Sequence, residues 1–84
     1  LEMPAQWRLL QDPAPEVRRI VAERLPAALL TALLHDPDWT VRWEVAGRAD
    51  INLLRQLLHD DEAEVRQRAA ERLALMAAPE TAHG

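Results

Sequence analysis

Apolar residues recur at helical spacing along this chain, and the same arrangement of apolar and polar positions returns every 24 residues. Val17, Val21 and Leu25 follow one another at intervals of four, which places them on one face of a helix. A second apolar set follows with the spacing i, i+1, i+4, i+5, which is typical of a broad buried helical face. Its members are Leu29, Leu30, Leu33 and Leu34, and again Leu53, Leu54, Leu57 and Leu58. No stretch alternates with a period of two, so we expect no strands.

Three copies of the unit can be aligned. The segment LHDPDWTVRWEVAGRA begins at Leu34, and related segments begin at Leu10 and Leu58. Seven positions are identical in all three copies: Leu9/Leu33/Leu57, Leu10/Leu34/Leu58, Asp12/Asp36/Asp60, Val17/Val41/Val65, Arg18/Arg42/Arg66, Ala22/Ala46/Ala70 and Arg24/Arg48/Arg72. A fixed interval of this size predicts a solenoid, in which each unit buries its apolar face against its neighbours. We therefore predict an all-α fold of about three units with two helices each.

The unit boundaries follow from the alignment. We predict a repeat domain over residues 1–78, made of a half unit 1–11, full units 12–35 and 36–59, and a capping unit 60–78. The capping unit has lost the leucines that a further unit would cover. Residues 79–84 are predicted to be a disordered tail.

Local signals predict where the helices start. Asp12-Pro13 and Asp36-Pro37 are each an acid followed by proline, the sequence expected of an N-cap and the first helical residue. Asp50 is predicted to cap the second helix of its unit. The elements are short, so we expect 3₁₀-helices as well as α-helices.

The repeated Asp and Arg suggest how neighbouring units are joined. Stacking brings Asp12, Asp36 and Asp60 into one row and Arg18, Arg42 and Arg66 into another. A half-buried arginine is costly unless it is paired, and its planar guanidinium can bridge carboxylates or helix-end carbonyls. We predict that this Asp/Arg ladder fixes the register of stacking, and we favour this structural role over a catalytic one.

The motif D-P-x-x-x-V-R-x-x-V-A-x-R followed by L-x-x-L-L resembles the leucine-rich repeat variant family of bacteria. Here it reads Asp12-Pro13, Val17-Arg18, Val21-Ala22, Arg24 and the leucines after Pro26. The resemblance implies alternating α- and 3₁₀-helices in a short right-handed superhelix. The Asp/Val-Arg core is also similar to HEAT repeats, whose units are longer. Some family members carry a cysteine-rich iron–sulphur module; this sequence has no cysteine, so we expect no cofactor.

Two sets of aromatic and ring side chains are candidates for function. Trp39 and Trp43 are one helical turn apart, and Arg19 shares a column with Trp43, so we expect an Arg19–Trp43 cation–π contact. These three residues are the candidate partner-binding residues, although packing between units is the favoured explanation of the tryptophans, because indole buries a large apolar area. His35 and His59 are also in register, but two ligands without a third are weak evidence for a metal.

Composition limits the remaining possibilities. Cysteine and tyrosine are absent, every basic residue is arginine, and the net charge is −4. We therefore expect neither enzymatic activity nor a small-molecule substrate. No apolar run is long enough to span a membrane, so we expect a cytoplasmic protein. We predict a non-enzymatic scaffold that binds a protein partner or itself.

The alternative is a nucleic-acid-binding repeat protein. It would need Arg19, Arg42, Arg55 and Trp43 on one exposed face, and the net acidity disfavours it. Negative charge is concentrated in the last unit, for which a solvated face is the favoured explanation and a patch for a basic partner the alternative. The acids are Asp60, Asp61, Glu62, Glu64 and Glu71.

Overall fold

The computed structural model describes residues 8–77, and this part of the chain is helical without strands. Its elements are a 3₁₀-helix η1 (Leu9–Gln11), α1 (Pro15–Arg24), a 3₁₀-helix η2 (Ala27–Leu33), α2 (Trp39–Ala46), α3 (Ile51–Leu57) and α4 (Ala63–Ala77). The prediction of an all-helical chain is confirmed. The first seven residues of the half unit 1–11, the end of the capping unit at Ala78 and the predicted tail 79–84 lie outside the described residues.

The helices form two rows. Helix α1 packs against α2, and α2 packs against α4, so the first helices of successive units are neighbours. In the second row η1 packs against α1, η2 against α2 and α3 against α4. The second element of each unit therefore contacts the first helix of the following unit, which is how the apolar faces of short helices are covered.

One apolar cluster joins α1, η2, α2, α3 and α4. Its fully buried side chains include Val21 and Leu25 of the first unit, and Val41 and Leu54 of the second. The leucine-rich face is buried as predicted at most of its positions. Leu29 is half-buried and Leu58 is 36% exposed, so the face is narrower than the sequence pattern suggests.

The helices of the first row start later than the sequence predicted. Helix α1 begins at Pro15 and α2 at Trp39, so the assignment of Asp12 and Asp36 as N-caps is wrong. Asp36 instead accepts a hydrogen bond from the backbone N–H of Asp38, at 2.9 Å, and closes a tight turn before the helix. The same bond joins Asp12 to Ala14 and Asp60 to Glu62. The acid is thereby placed outside the helix, where its carboxylate can accept further bonds.

The second elements differ in type because their first residues differ. Asp50 is the predicted N-cap of α3, and its side chain accepts a hydrogen bond from the N–H of Leu53 at 3.0 Å. Pro26 at the equivalent position provides no side-chain cap, and the segment after it is the 3₁₀-helix η2. Ala74 occupies this position in the last unit. Alanine neither removes an N–H nor competes with the helix, so α4 continues for 15 residues to Ala77.

We predict that Asp38 stabilises α2 in a pH-dependent way. Thr40 donates its hydroxyl and its N–H to the Asp38 carboxylate, and the hydroxyl bond contributes most to lowering the pKa of Asp38. A lowered pKa means stability that is present near neutral pH and lost as the pH falls through the folded-state pKa. Asp38→Ala should therefore cost about 1 kcal/mol at about pH 7. The cost should shrink below pH 3.8, the ordinary pKa of this carboxyl.

Urea unfolding of both proteins at about pH 7 and about pH 3 measures this difference. Glu23→Ala, an exposed acid on α1, is the control and should show no such dependence. A difference between wild type and Asp38→Ala that is equal at both pH values would contradict the prediction.

Candidate interaction surface

The Arg18 guanidinium joins the first full unit to the second. Its Nε donates to Asp36 Oδ2 at 2.8 Å and its Nη2 donates to Asp36 Oδ1 at 3.1 Å. Its Nη1 donates to the backbone carbonyl of Asp12, at 2.6 Å. One guanidinium therefore binds the turn of its own unit and the carboxylate of the next unit, a geometry that requires the planar fork of arginine.

Arg42 makes the same three bonds one unit later. Its Nε and Nη2 bind the Asp60 carboxylate at 2.8 and 3.1 Å, and its Nη1 binds the Asp36 carbonyl at 2.6 Å. The structure thus brings four of the six predicted ladder residues into two rungs. At the ends, Arg66 donates to the Asp60 carbonyl at 2.6 Å, and the Asp12 carboxylate accepts from the N–H of Ala14. The position after Asp60 in this row is Gly84, so the sequence supplies no acid there.

Both rungs are shielded from water. The exposed fractions of the Arg18 and Asp36 side chains are 12% and 3%, and those of Arg42 and Asp60 are 15% and 6%. Hydrogen bonding to Asp36 raises the pKa of Arg18 above its ordinary value, although burial opposes the shift. Hydrogen bonding to Asp60 raises the pKa of Arg42 in the same way. Both carboxylate oxygens of Asp36 accept from Arg18, and Oδ1 also accepts from the N–H of Asp38. Removing Asp36 would therefore leave a shielded guanidinium unpaired.

A second set of arginines joins the units, and sequence analysis assigned it no role. Arg48 donates to the carbonyl of Ala22 at 2.8 Å, near the C-terminal end of α1. Arg72 donates to the carbonyls of Ala46 and Ala49, at 3.1 and 2.6 Å, at the end of α2. Carbonyls in the last turn of a helix have no partner within the helix, and a cation there also interacts well with the helix dipole. The identity of Arg24, Arg48 and Arg72 in the alignment was the available signal.

The tryptophan contact differs from the one predicted. Arg68, not Arg19, lies over the Trp43 ring, with its Cζ 3.5 Å from the ring centroid, and it donates to the Trp43 carbonyl at 2.8 Å. Arg19 pairs instead with Glu44 at 3.4 Å. Both contacts join residues 25 apart, because the facing side chains of adjacent helices are offset by one residue from the 24-residue column. An Arg19–Trp43 contact would have required no offset.

Gly47 makes the Arg68 contact possible. It is the C-cap of α2, and a Cβ built on it would lie 2.5 Å from Arg68 Cζ, well inside van der Waals contact. Its φ of −72° is open to any residue, so the need for glycine at this position is a matter of space.

Trp39, Trp43 and the facing side of α4 form a surface that we call the Trp–acid surface, consisting of Trp39, Trp43, Glu64, Gln67, Arg68 and Glu71. Trp43 and the α4 residues line a groove of about 270 Å³ between α2 and α4. Trp39 lies one turn before Trp43 and is 38% exposed. Nearby, the neighbouring carboxyl of Glu64 raises the pKa of Glu62. Two of the five residues that line the groove, Glu64 and Glu71, are acidic, one, Arg68, is basic, and Trp43 provides the apolar surface.

The two histidines lie in a different groove. His35 and His59 line a groove of about 270 Å³ beside Arg42 and Asp60. Among residues 8–77, no three acid, histidine or cysteine side chains are grouped so that they could hold a metal ion. The same part of the chain contains no helix with the length and apolar character needed to cross a bilayer.

The recurrence of these bonds defines the class of protein: an all-helical chain whose neighbouring units are joined by equivalent contacts. A family model described as leucine rich repeat variant matches residues 15–38, so this segment is similar to the repeat of that family. The resemblance drawn from the sequence is confirmed for this segment. Neither the curated proteins nor the solved structures compared with the chain gave a match.

We predict that Asp36→Ala destabilises the fold by about 2–4 kcal/mol, because it leaves Arg18 shielded and unpaired and opens the turn before α2. For a chain of this size that loss lowers the melting temperature by roughly 10 °C or more. Circular dichroism during heating measures it. Asp61→Ala, an exposed acid one residue after a ladder position, is the matched control. Equal melting temperatures for Asp36→Ala and Asp61→Ala would show that the Arg18–Asp36 pair does not stabilise the fold.

We predict that Gly47→Ala displaces Arg68 from the Trp43 ring, since the added Cβ occupies the place of the guanidinium. The displaced cation–π contact should account for a loss of about 1 kcal/mol, the usual contribution of a partly exposed contact of this kind. The indole N–H resonance of Trp43 should shift as it does in Arg68→Ala, while that of Trp39 serves as the internal control. An unmoved Trp43 resonance in Gly47→Ala would contradict the prediction.

Proposed function

We propose that this chain is a non-enzymatic helical repeat module that binds a protein partner through the Trp–acid surface. The observation that carries the proposal is the exposed Trp39 beside the groove lined by Trp43 and by the acids of α4. Tryptophan is enriched among the residues that contribute most to binding free energy, above all where neighbouring groups exclude water. The leucine rich repeat variant match supports a role in protein interaction, with which helical repeat families of this kind are often associated.

The surface specifies the chemistry of the partner. An apolar or aromatic side chain would cover Trp39, and a basic side chain would lie against Glu64 and Glu71 at the groove rim. Arg68 is held by the ring and carbonyl of Trp43, and its single positive charge is outnumbered by the two acids, Glu64 and Glu71, that line the same groove. We therefore expect a basic, partly apolar segment of protein as the ligand.

The proposal includes the arrangement expected from the sequence, a short right-handed superhelix of stacked units. The equivalent rungs at Arg18–Asp36 and Arg42–Asp60 support regular stacking. The equivalent carbonyl contacts of Arg48 and Arg72 also support it. Repeat scaffolds use the extended surface that such stacking creates.

Nucleic-acid binding is the weaker proposal because three of its four required side chains are engaged elsewhere. Arg42 is bound to Asp60 and to the Asp36 carbonyl, and Arg19 is paired with Glu44. Arg68 covers the Trp43 ring, on which a base would have to stack. A protein with a net charge of −4 and with these arginines internally paired has little to offer a phosphate backbone.

The test is partner binding by wild type and Trp39→Ala. The immobilised chain captures proteins from its source cells, the retained protein is purified, and its Kd is measured by calorimetry for both variants. Loss of a central tryptophan should weaken binding by about 30-fold, the equivalent of about 2 kcal/mol.

Ile51→Ala is the matched control, because Ile51 is an equally exposed apolar residue, at 43%, in the second row of helices. It should bind as wild type does. The proposal fails if no retained protein binds more tightly to wild type than to Trp39→Ala.

A further inference from the structure

The first unit carries an apolar face that is covered in the later units. We call the set Leu9, Asp12, Val17 and Ile20 the head face. Val17 is half-buried, whereas its equivalents Val41 and Val65 are fully buried by the preceding unit. Leu9 is 40% exposed, whereas Leu33 and Leu57 are each 2% exposed. Ile20 is 49% exposed, although a side chain at its position in the next two units contacts the unit before it.

The last helix carries the opposite face, which we call the tail face, consisting of Arg66, Ala70 and Leu73. Ala70 is exposed, whereas its equivalents Ala22 and Ala46 are completely buried under the following unit. Leu73 is half-buried, whereas Leu25 in the first unit is fully buried. The Nη1 of Arg66 binds the Asp60 carbonyl, as its equivalents bind theirs. The Nε and Nη2 of those equivalents take a carboxylate from the next unit.

The repeat interval places groups of opposite charge on the two faces. Within the chain, each rung joins an arginine to an aspartate 18 positions later. The residue 18 positions after Arg66 is Gly84, and three units before Gly84 stands Asp12. The carboxylate of Asp12 is thus the group that the repeat would place on Arg66. The small side chain of Ala70 leaves room for the half-buried Val17 of another copy. Its equivalents Ala22 and Ala46 are equally small and are completely buried under the following unit.

We infer that a second copy of this chain docks head to tail on α4, with Asp12 of that copy bound to Arg66 and its head face covering Ala70 and Leu73. This inference rests on the stacked arrangement proposed above, and Trp39, which carries the partner-binding proposal, belongs to neither the head face nor the tail face. It adds one Asp/Arg rung between copies, built as the two rungs within the chain are built.

The contact leaves a head face free on one copy and a tail face free on the other. Such a head-to-tail contact does not close on itself, so further copies add in the same way and the assembly grows with concentration. One internal contact has no counterpart. Helix α4 runs on to Ala77, so the carbonyls of Ala70 and Leu73 are used by its own hydrogen bonds and do not accept from Arg24 as Ala22 accepts from Arg48.

Sedimentation velocity of the full chain over a wide concentration range tests the inference with a charge exchange. The wild type should show masses that rise beyond the dimer. Arg66→Glu should weaken association by at least tenfold, to about the extent expected when like charges oppose at a contact, and Asp12→Arg should do the same. An equimolar mixture of these two variants should associate again, because each tail then meets a head of opposite charge. The double variant Asp12→Arg/Arg66→Glu should associate alone for the same reason.

Arg55→Glu, an exposed arginine on α3 with the same charge change, is the control and should associate as wild type does. Heating curves of all variants establish that each one is folded. A wild type that stays monomeric at every concentration overturns the inference, as does association that Arg66→Glu leaves unchanged or that the mixture fails to restore. Trp39→Ala should leave the mass distribution unchanged. Failure here and failure of partner binding are therefore separate results.

Discussion

The rest of the structure depends on the bidentate pairing of an arginine in one unit with an aspartate in the next. The pair is shielded from water, so it is stable only when every donor and acceptor is satisfied. Asp36 meets this demand with two oxygens that accept from Arg18 and from a backbone N–H. Arg18 meets it by adding the Asp12 carbonyl. A small shift between units would break several bonds at once, which is why the pair can hold the register that apolar contacts alone would leave loose.

This requirement explains the backbone around the aspartate. If the carboxylate capped the helix, its oxygens would accept hydrogen bonds from N–H groups in the first turn and would be less available to the arginine of the neighbouring unit. Because the chain closes a turn at Asp36 and delays the start of α2 until Trp39, the capping role passes to Asp38. The aspartate is thus kept for the neighbouring unit, and the short helices of the fold follow in part from the residues that the turn uses.

The exclusive use of arginine has a consequence for function. Guanidinium groups bind carboxylates, helix-end carbonyls and an indole ring at the joints between units, as Arg42, Arg72 and Arg68 do. These three arginines are therefore engaged at the joints between units, while others, such as Arg55 and Arg66, remain exposed. The proposed basic ligand and the proposed docking of a second copy both depend on which guanidinium groups the joints use and which they leave exposed.

The sequence by itself determined the interval, the two-element unit, the absence of strands over residues 8–77 and the identity of the ladder residues. Each of these depends on the spacing of residue types, which a single chain displays. It did not determine where α1 and α2 begin, why Arg48 and Arg72 recur, or which arginine covers Trp43. Those outcomes depend on the offset between adjacent helices and on competition for the same carboxylate. Only the tertiary structure decided these outcomes, because hydrogen bonds between units fix the offset of adjacent helices and determine which group binds each carboxylate.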